Sequence, residues 1–379
     1  MPTEPPSPDF RLPVAAQRAR ARRLLCRPAC IFSVCLCFAA TISGGRAFGQ
    51  AATCATLQAA EKTTYGFNPV ALTSSQQNIK SREVQQFRDQ AKDMGASAVS
   101  CLRQMLAGNT DDPYFLYSGS ALLLSLDSSP DSLSAILMAL ENSDPSRVDA
   151  TGYIGLLIQL ARRNIDAGPL AGKYVNYVAL HDAAPQGEVS DQLINATLLL
   201  YGSMPPDLAV TYLAGLSKYG EASARPAATF ALALNLTEPA FRQLHGGVTL
   251  AGLSDDNRKV VLSVLTYKPI TAVPHTPLSR DEVLKRLDAV TRGDFSHIDA
   301  DFPPYVSGDQ AFEVSAGAQL TPADLPRLLK ARRMSIHGVT EDSLDDYLTL
   351  TRTILEVIDR YDLYRKWRMT AAEAREIAR

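Results

Sequence analysis

The sequence predicts an all-α protein, a solenoid-like stack of two-helix repeats followed by a helical C-terminal region. Three observations predict it. Apolar residues recur at steps of three and four within segments of ten to eighteen residues, turns rich in Pro, Gly, Asp and Ser separate those segments, and leucine triplets return at 34-residue intervals in the middle of the chain. Period-two alternation, the mark of a half-buried strand, is scarce.

The first 49 residues are a different material. Arg18, Arg20, Arg22, Arg23 and Arg27 precede an apolar run from Cys30 to Ile42, and small residues follow up to Ala47-Phe48-Gly49. That order is the pattern of a cleavable export signal, with cleavage expected after Gly49 and a periplasmic or secreted destination. The run falls short of the roughly 20 residues that a membrane-spanning helix needs. No later apolar stretch reaches that length, so no transmembrane span is expected in the processed chain.

Of the 38 Lys and Arg and the 40 Asp and Glu, seven Arg and two acids lie in residues 1–49, which leaves 31 basic and 38 acidic residues. An acidic balance without a basic stripe excludes the phosphate-tracking mode of nucleic-acid binding, in which neutralised phosphates supply most of the affinity. Four of the six cysteines also lie in the signal. Cys54 and Cys101 are expected to pair, joining the N-terminal segment (residues 50–79) to the first repeat.

Residues 80–107 carry Val84, Phe87, Ala91, Met94, Ala98, Leu102, Met105 and Leu106, an amphipathic spacing that a break at Gly95 divides into two helices. Met105-Leu106 and Leu122-Leu123-Leu124 are matched 34 residues later by Ala139-Leu140 and Leu156-Leu157-Ile158. The second helix returns as Leu198-Leu199-Leu200, after a surplus of eight residues that fits the loop from His181 to Glu188. It returns again at Leu232-Ala233-Leu234, and Val260-Val261-Leu262 marks a fifth copy. Each copy is one helical pair that cannot bury its apolar face alone, so stacking is the expected solution. The repeat domain is read as residues 80–267.

The fourth copy, Tyr212 to Leu232, carries a family resemblance. A leucine-rich helix is followed by an acidic turn at Glu221, then by Ala224-Arg225 and the small residues Ala227, Ala228 and Ala231. This resembles a HEAT repeat, in which an apolar-Arg pair opens the second helix. Pro226 departs from the pattern but suits a first helical turn, where its missing N–H is unneeded. The resemblance extends over residues 100–267, although the other copies lack the arginine. The tetratricopeptide signature of Trp, Gly-Tyr and closing Pro is absent despite the matching period. A HEAT-like family membership implies an α-solenoid that binds proteins or peptides.

Pro269, Pro274 and Pro277 mark a linker over residues 268–278. Beyond it lies a more charged helical region, residues 279–379. Helices are expected at Asp281–Val290, Ala323–Arg333 and Thr340–Trp367, with a short final helix from about Thr370. The seam of the long helix, including Leu344, Leu348, Ile354 and Ile358, reads as core, being too short for a coiled coil.

Candidate site residues are few. Asp111, Asp112, Asp144, Asp191, Glu221, Asp255 and Asp256 fall in the turns between paired helices, where stacking would gather them into an acidic ridge facing a basic partner or divalent cations. Helix capping explains the same positions without a partner. His297, Asp299 and Asp301 alternate, so an extended backbone would point them one way as a partial metal site or acid-base pair, yet no second ligand cluster accompanies them. Ser118 lacks the glycines of a nucleophile elbow, and His245-Gly246-Gly247 resembles an oxyanion loop with no serine to serve. No catalytic residue, metal or cofactor is assigned. The expected function is a protein- or peptide-binding scaffold of the cell envelope. The alternative is a polysaccharide-active enzyme on an α/α toroid, with carboxylates such as Asp299 and Asp301 at work.

Overall fold

In a computed structural model, the chain is described over residues 54–65, 74–108, 112–147, 150–182, 184, 188–245, 247–267, 278–295 and 308–377. Seventeen α-helices and no strand occur among the described residues, as the 3.6-residue periodicity requires. The chain divides into two compact units that meet in sequence at Tyr153 and Ile154.

The first unit holds α1 (Cys54–Tyr65), α2 (Ser74–Met94), α3 (Ala96–Gly108), α4 (Pro113–Leu126) and α5 (Pro130–Asn142). Gly95 separates α2 from α3 as the sequence predicts. Helix α2 starts earlier than its apolar pattern, because Ser74 to Asn78 are helical despite their polarity. Ring contacts join α1, α2 and α4: Tyr65 lies 5.5 Å from both Phe87 and Phe115, edge-on in each case. Cys54 and Cys101 form a disulfide with Cα atoms 5.5 Å apart, tying α1 to α3. Closing a loop of this length restricts the unfolded chain by about 4 kcal/mol.

The second unit continues α6 (Ala150–Arg162) from Ile154, then adds α7 (Gly168–Leu180), α8 (Asp191–Gly202), α9 (Pro206–Tyr219), α10 (Ala224–Asn235), α11 (Glu238–Leu244) and α12 (Asp255–Leu265). Helices α7, α9 and α11 form one row, and α8, α10 and α12 form a second row packed against it. The triplets Leu198-Leu199-Leu200 and Leu232-Ala233-Leu234 lie in the second row. Leu198, Leu199, Leu200, Leu232 and Leu234 are all at least 96% buried, so the repeated residues are the repeated core. Direction alternates along the chain, so every second-row helix starts at one edge of the stack and ends at the other.

The edge where the second row starts is held by Ser190 and Ser254, whose hydroxyls accept backbone N–H groups at the starts of α8 and α12. The Asn257 amide also donates to Asp191 at 3.4 Å, linking those two starts. Arg225 turns back on its own repeat and donates to the Gly220 carbonyl at 2.9 Å. Pro226 is buried inside the first turn of α10, where no backbone bond is lost.

Of the C-terminal helices α13 (Arg280–Thr291), α14 (Gly308–Gln319), α15 (Leu325–Ser335) and α16 (Glu341–Arg360), the last two meet the opposite edge, with α13 packed on α15 and α14 on α16. Gly202 ends α8 so close to them that a Cβ there would lie 2.7 Å from both Ile336 and Tyr347. Arg332 of α15 reaches the end of α10, donating to the carbonyls of Leu234 at 2.7 Å and Asn235 at 2.6 Å. Arg368 does the same at the end of α12, donating to the Val264 and Thr266 carbonyls at 2.9 Å each while paired with Asp359. A cation at a helix C-terminus satisfies orphan carbonyls and favours the negative dipole end. Helices α13 and α15 begin and end within a few residues of the predicted ranges. Helix α16 is shorter than predicted: it stops at Arg360, because Asp362 and Tyr364 adopt positive φ of 54° and 59°. The segment Arg365–Trp367 is a 3-10 turn, and α17 (Ala371–Ile377) closes the described chain.

Candidate functional site

The acidic turn residues divide by what they do. Asp112 caps α4, accepting from the backbone N–H of Tyr114 and Phe115 at 3.0 Å each. Burial pushes its carboxyl up from the usual range, against the two backbone donors that pull it down. Asp144 accepts from the Ser146 backbone and hydroxyl. Asp191, Asp255 and Asp256 occupy first turns, with Asp255 and Asp256 beside Arg258 and Lys259 of the same helix. Glu221 is exposed at the turn before α10. Asp191, Glu221, Asp255 and Asp256 thus share the stack edge at which the second row starts. Asp111, His297, Asp299 and Asp301 lie outside the described residues. Ser118 is a buried partner of Tyr65, their hydroxyls 2.9 Å apart.

The same edge carries a cleft of about 320 Å³, built by α9, α10, α11 and the turn after α11. Its lining is largely polar, with Ser217, Thr229 and Gln243 among it, and the buried Leu232 and Leu244 lie behind them. Its rim carries two cations, Lys218 at the end of α9 and Arg242 on α11, with the His245 ring just beyond. No acid is among the lining residues. Arg242 lies over the Trp367 ring, 5.3 Å from its centroid, and the His245 ring meets Trp367 edge-on at 5.7 Å. Glu238 orients this group: it accepts from the Trp367 indole N–H at 3.1 Å and from Arg242 at 3.3 Å. Those donors hold its carboxyl below the usual range, the indole bond first among them. Leu180 and Tyr219 end α7 and α9 at this edge and are 64% and 87% exposed.

Comparison with known protein families, with curated proteins and with solved structures finds no match.

Sequence reasoning missed the cleft. In the sequence Lys218 and Arg242 look like scattered solvated residues, as does Trp367 that packs on Arg242, and His245 stands in a motif with a different role. It also missed an acid pair between α14 and α16. Glu313 pairs with Arg352 at 2.7 Å, and the Glu356 carboxyl packs against Gly317, where a Cβ would fall 1.6 Å from Oε2. Burial chiefly, and then the charge of Glu313, push Glu356 up to about 7. No sequence signal marks this position, since Glu356 reads as one more polar residue on an amphipathic helix.

Proposed function

We propose that this chain is an exported helical-repeat protein, HEAT-like in its fourth copy, that binds a protein or peptide partner in the cell envelope. One observation carries the reading. The edge of the stack where α8, α10 and α12 end is covered by the chain's own helices, whereas the edge where they start presents exposed Leu180 and Tyr219 beside a preformed cleft. Tyr219 is the most exposed of the large apolar side chains among the described residues, and an aromatic ring beside a cleft suits a partner surface, where Tyr is enriched. The export pattern of residues 17–49 and the Cys54–Cys101 disulfide support an oxidising destination.

The test is affinity capture from envelope extracts with the full chain, comparing wild type with Leu180→Glu and Tyr219→Glu. A partner captured by wild type and lost with either variant supports the reading. A partner retained by both variants, or none captured, counts against it. The polysaccharide-active alternative has the Glu313 and Glu356 pair in its favour, but that pair lies between packed helices, away from the cleft.

A further inference from the structure

We infer that the cleft between α9, α10 and α11 is a binding site for an acidic peptide segment, engaging one side-chain or terminal carboxylate at Arg242 and Lys218. This deepens the partner-binding reading and rests on it.

The first argument is charge. Among the described residues Lys218 has no acidic partner, and Arg242 spends only Nη2 on Glu238, at a long 3.3 Å. The cleft that Arg242 helps to line has no acid in its lining. The Trp367 ring 5.3 Å away and the bond to Glu238 restrain the guanidinium, which lowers the entropy lost when it takes a carboxylate. The rim is thus prepared for an anion before one arrives.

The second argument is shape. The cleft's volume of about 320 Å³ holds one or two side chains, and its lining of Ser217, Thr229 and Gln243 suits a polar group entering beside the cations. Tyr219 follows Lys218 directly and stands 87% exposed, available to a residue flanking the carboxylate. A ligand with an isolated charge next to apolar groups matches this arrangement, and a peptide supplies both. A polyanion does not, because the processed chain carries 38 acidic against 31 basic residues and repels extended negative charge.

The experiment uses the protein's single tryptophan. Because Trp367 touches Arg242 and His245, occupancy of the cleft changes its emission. The full chain is titrated with an acetylated, amidated hexapeptide of Glu and Leu, with the same peptide carrying Gln for Glu, and with inorganic phosphate. The expected result is saturable change with the Glu peptide, at least about tenfold weaker with the Gln peptide and with the charge-reversed variants Arg242→Glu and Lys218→Glu. Both substituted residues are exposed, and circular dichroism checks that each variant keeps its helices. Equal affinity for the Gln and Glu peptides, no loss on charge reversal, no response to the Glu peptide, or a response to phosphate in its place would each overturn the inference. Binding of the Glu peptide with no partner captured from the envelope would separate this site from the broader reading, and the reverse result would spare the reading while sinking the site.

Discussion

Arg332 donates to the backbone carbonyl of Asn235 at 2.6 Å, across 97 residues of sequence. It does so from full burial, with its guanidinium 5.0 Å from the Tyr347 ring and a further bond to Thr351 at 3.2 Å. Helix α10 ends at Asn235, and Leu236 turns the chain at a positive φ of 59°, so the last carbonyls of α10 lack helical partners. A residue of the C-terminal region thus completes the best-defined repeat.

Arg332→Ala should therefore destabilise the second unit strongly, by about 3–5 kcal/mol, since it leaves buried carbonyls unpaired and a cavity beside Tyr347. Arg332→Lys should recover only part of the loss, because an ammonium cannot fork to the two carbonyls as a guanidinium does. Urea unfolding monitored by Trp367 emission checks both. A lysine variant as stable as wild type would show that charge alone suffices.

Glu356 should make the protein less stable as pH rises. Its folded pKa is raised to about 7 from an ordinary value of 4.5, so the folded chain holds this proton more tightly than the unfolded chain. Its contribution is therefore most favourable below the unfolded value and declines as pH climbs through that window towards 7. Glu356→Gln should remove this part of the pH dependence and stabilise the protein at pH 8, by at most about 3 kcal/mol. Urea midpoints at pH 5 and pH 8 for both proteins decide it, and an unchanged slope in the variant would refute the assignment.

Gly317→Ala should cost about 1–3 kcal/mol, because its methyl would displace the Glu356 carboxyl from a seat with no spare room. Adding Glu356→Ala should relieve much of that strain. The double variant should accordingly lose less than the sum of the single losses, and strict additivity in a double-mutant cycle would argue that the two residues do not compete for one space.

Replacing Cys54 and Cys101 together by Ser should lower stability by about 2–4 kcal/mol. The loss should appear in the first unit, where α1 is tied to α3. Hydrogen exchange resolved by segment is the measurement: faster exchange in residues 54–108 with residues 190–265 unchanged is the expected pattern.

The helical repeat was legible because its information is local. Leu198-Leu199-Leu200 and Leu232-Ala233-Leu234 announce a buried helix through spacing alone, and Ser190, Ser254 and Thr340 announce helix starts through a short-range bond to their own backbone. The stop of α16 at Arg360 was not legible, because it depends on positive φ at Asp362 and Tyr364, residues with no local need for it.

The candidate site lies at the other extreme. Lys218, Arg242 and Trp367 stand 24 and 125 residues apart in succession, and nothing in their spacing marks them as neighbours. By itself the sequence determined an all-α chain of paired helices, their order and the pairing of Cys54 with Cys101, because periodicity, capping and cysteine count act over short range or leave one choice. Only the tertiary structure decided which edge of the stack is covered and which carries the cleft. That choice rests on Arg332 and Arg368 meeting helix ends about a hundred residues away, and such contacts exist only once the chain has packed.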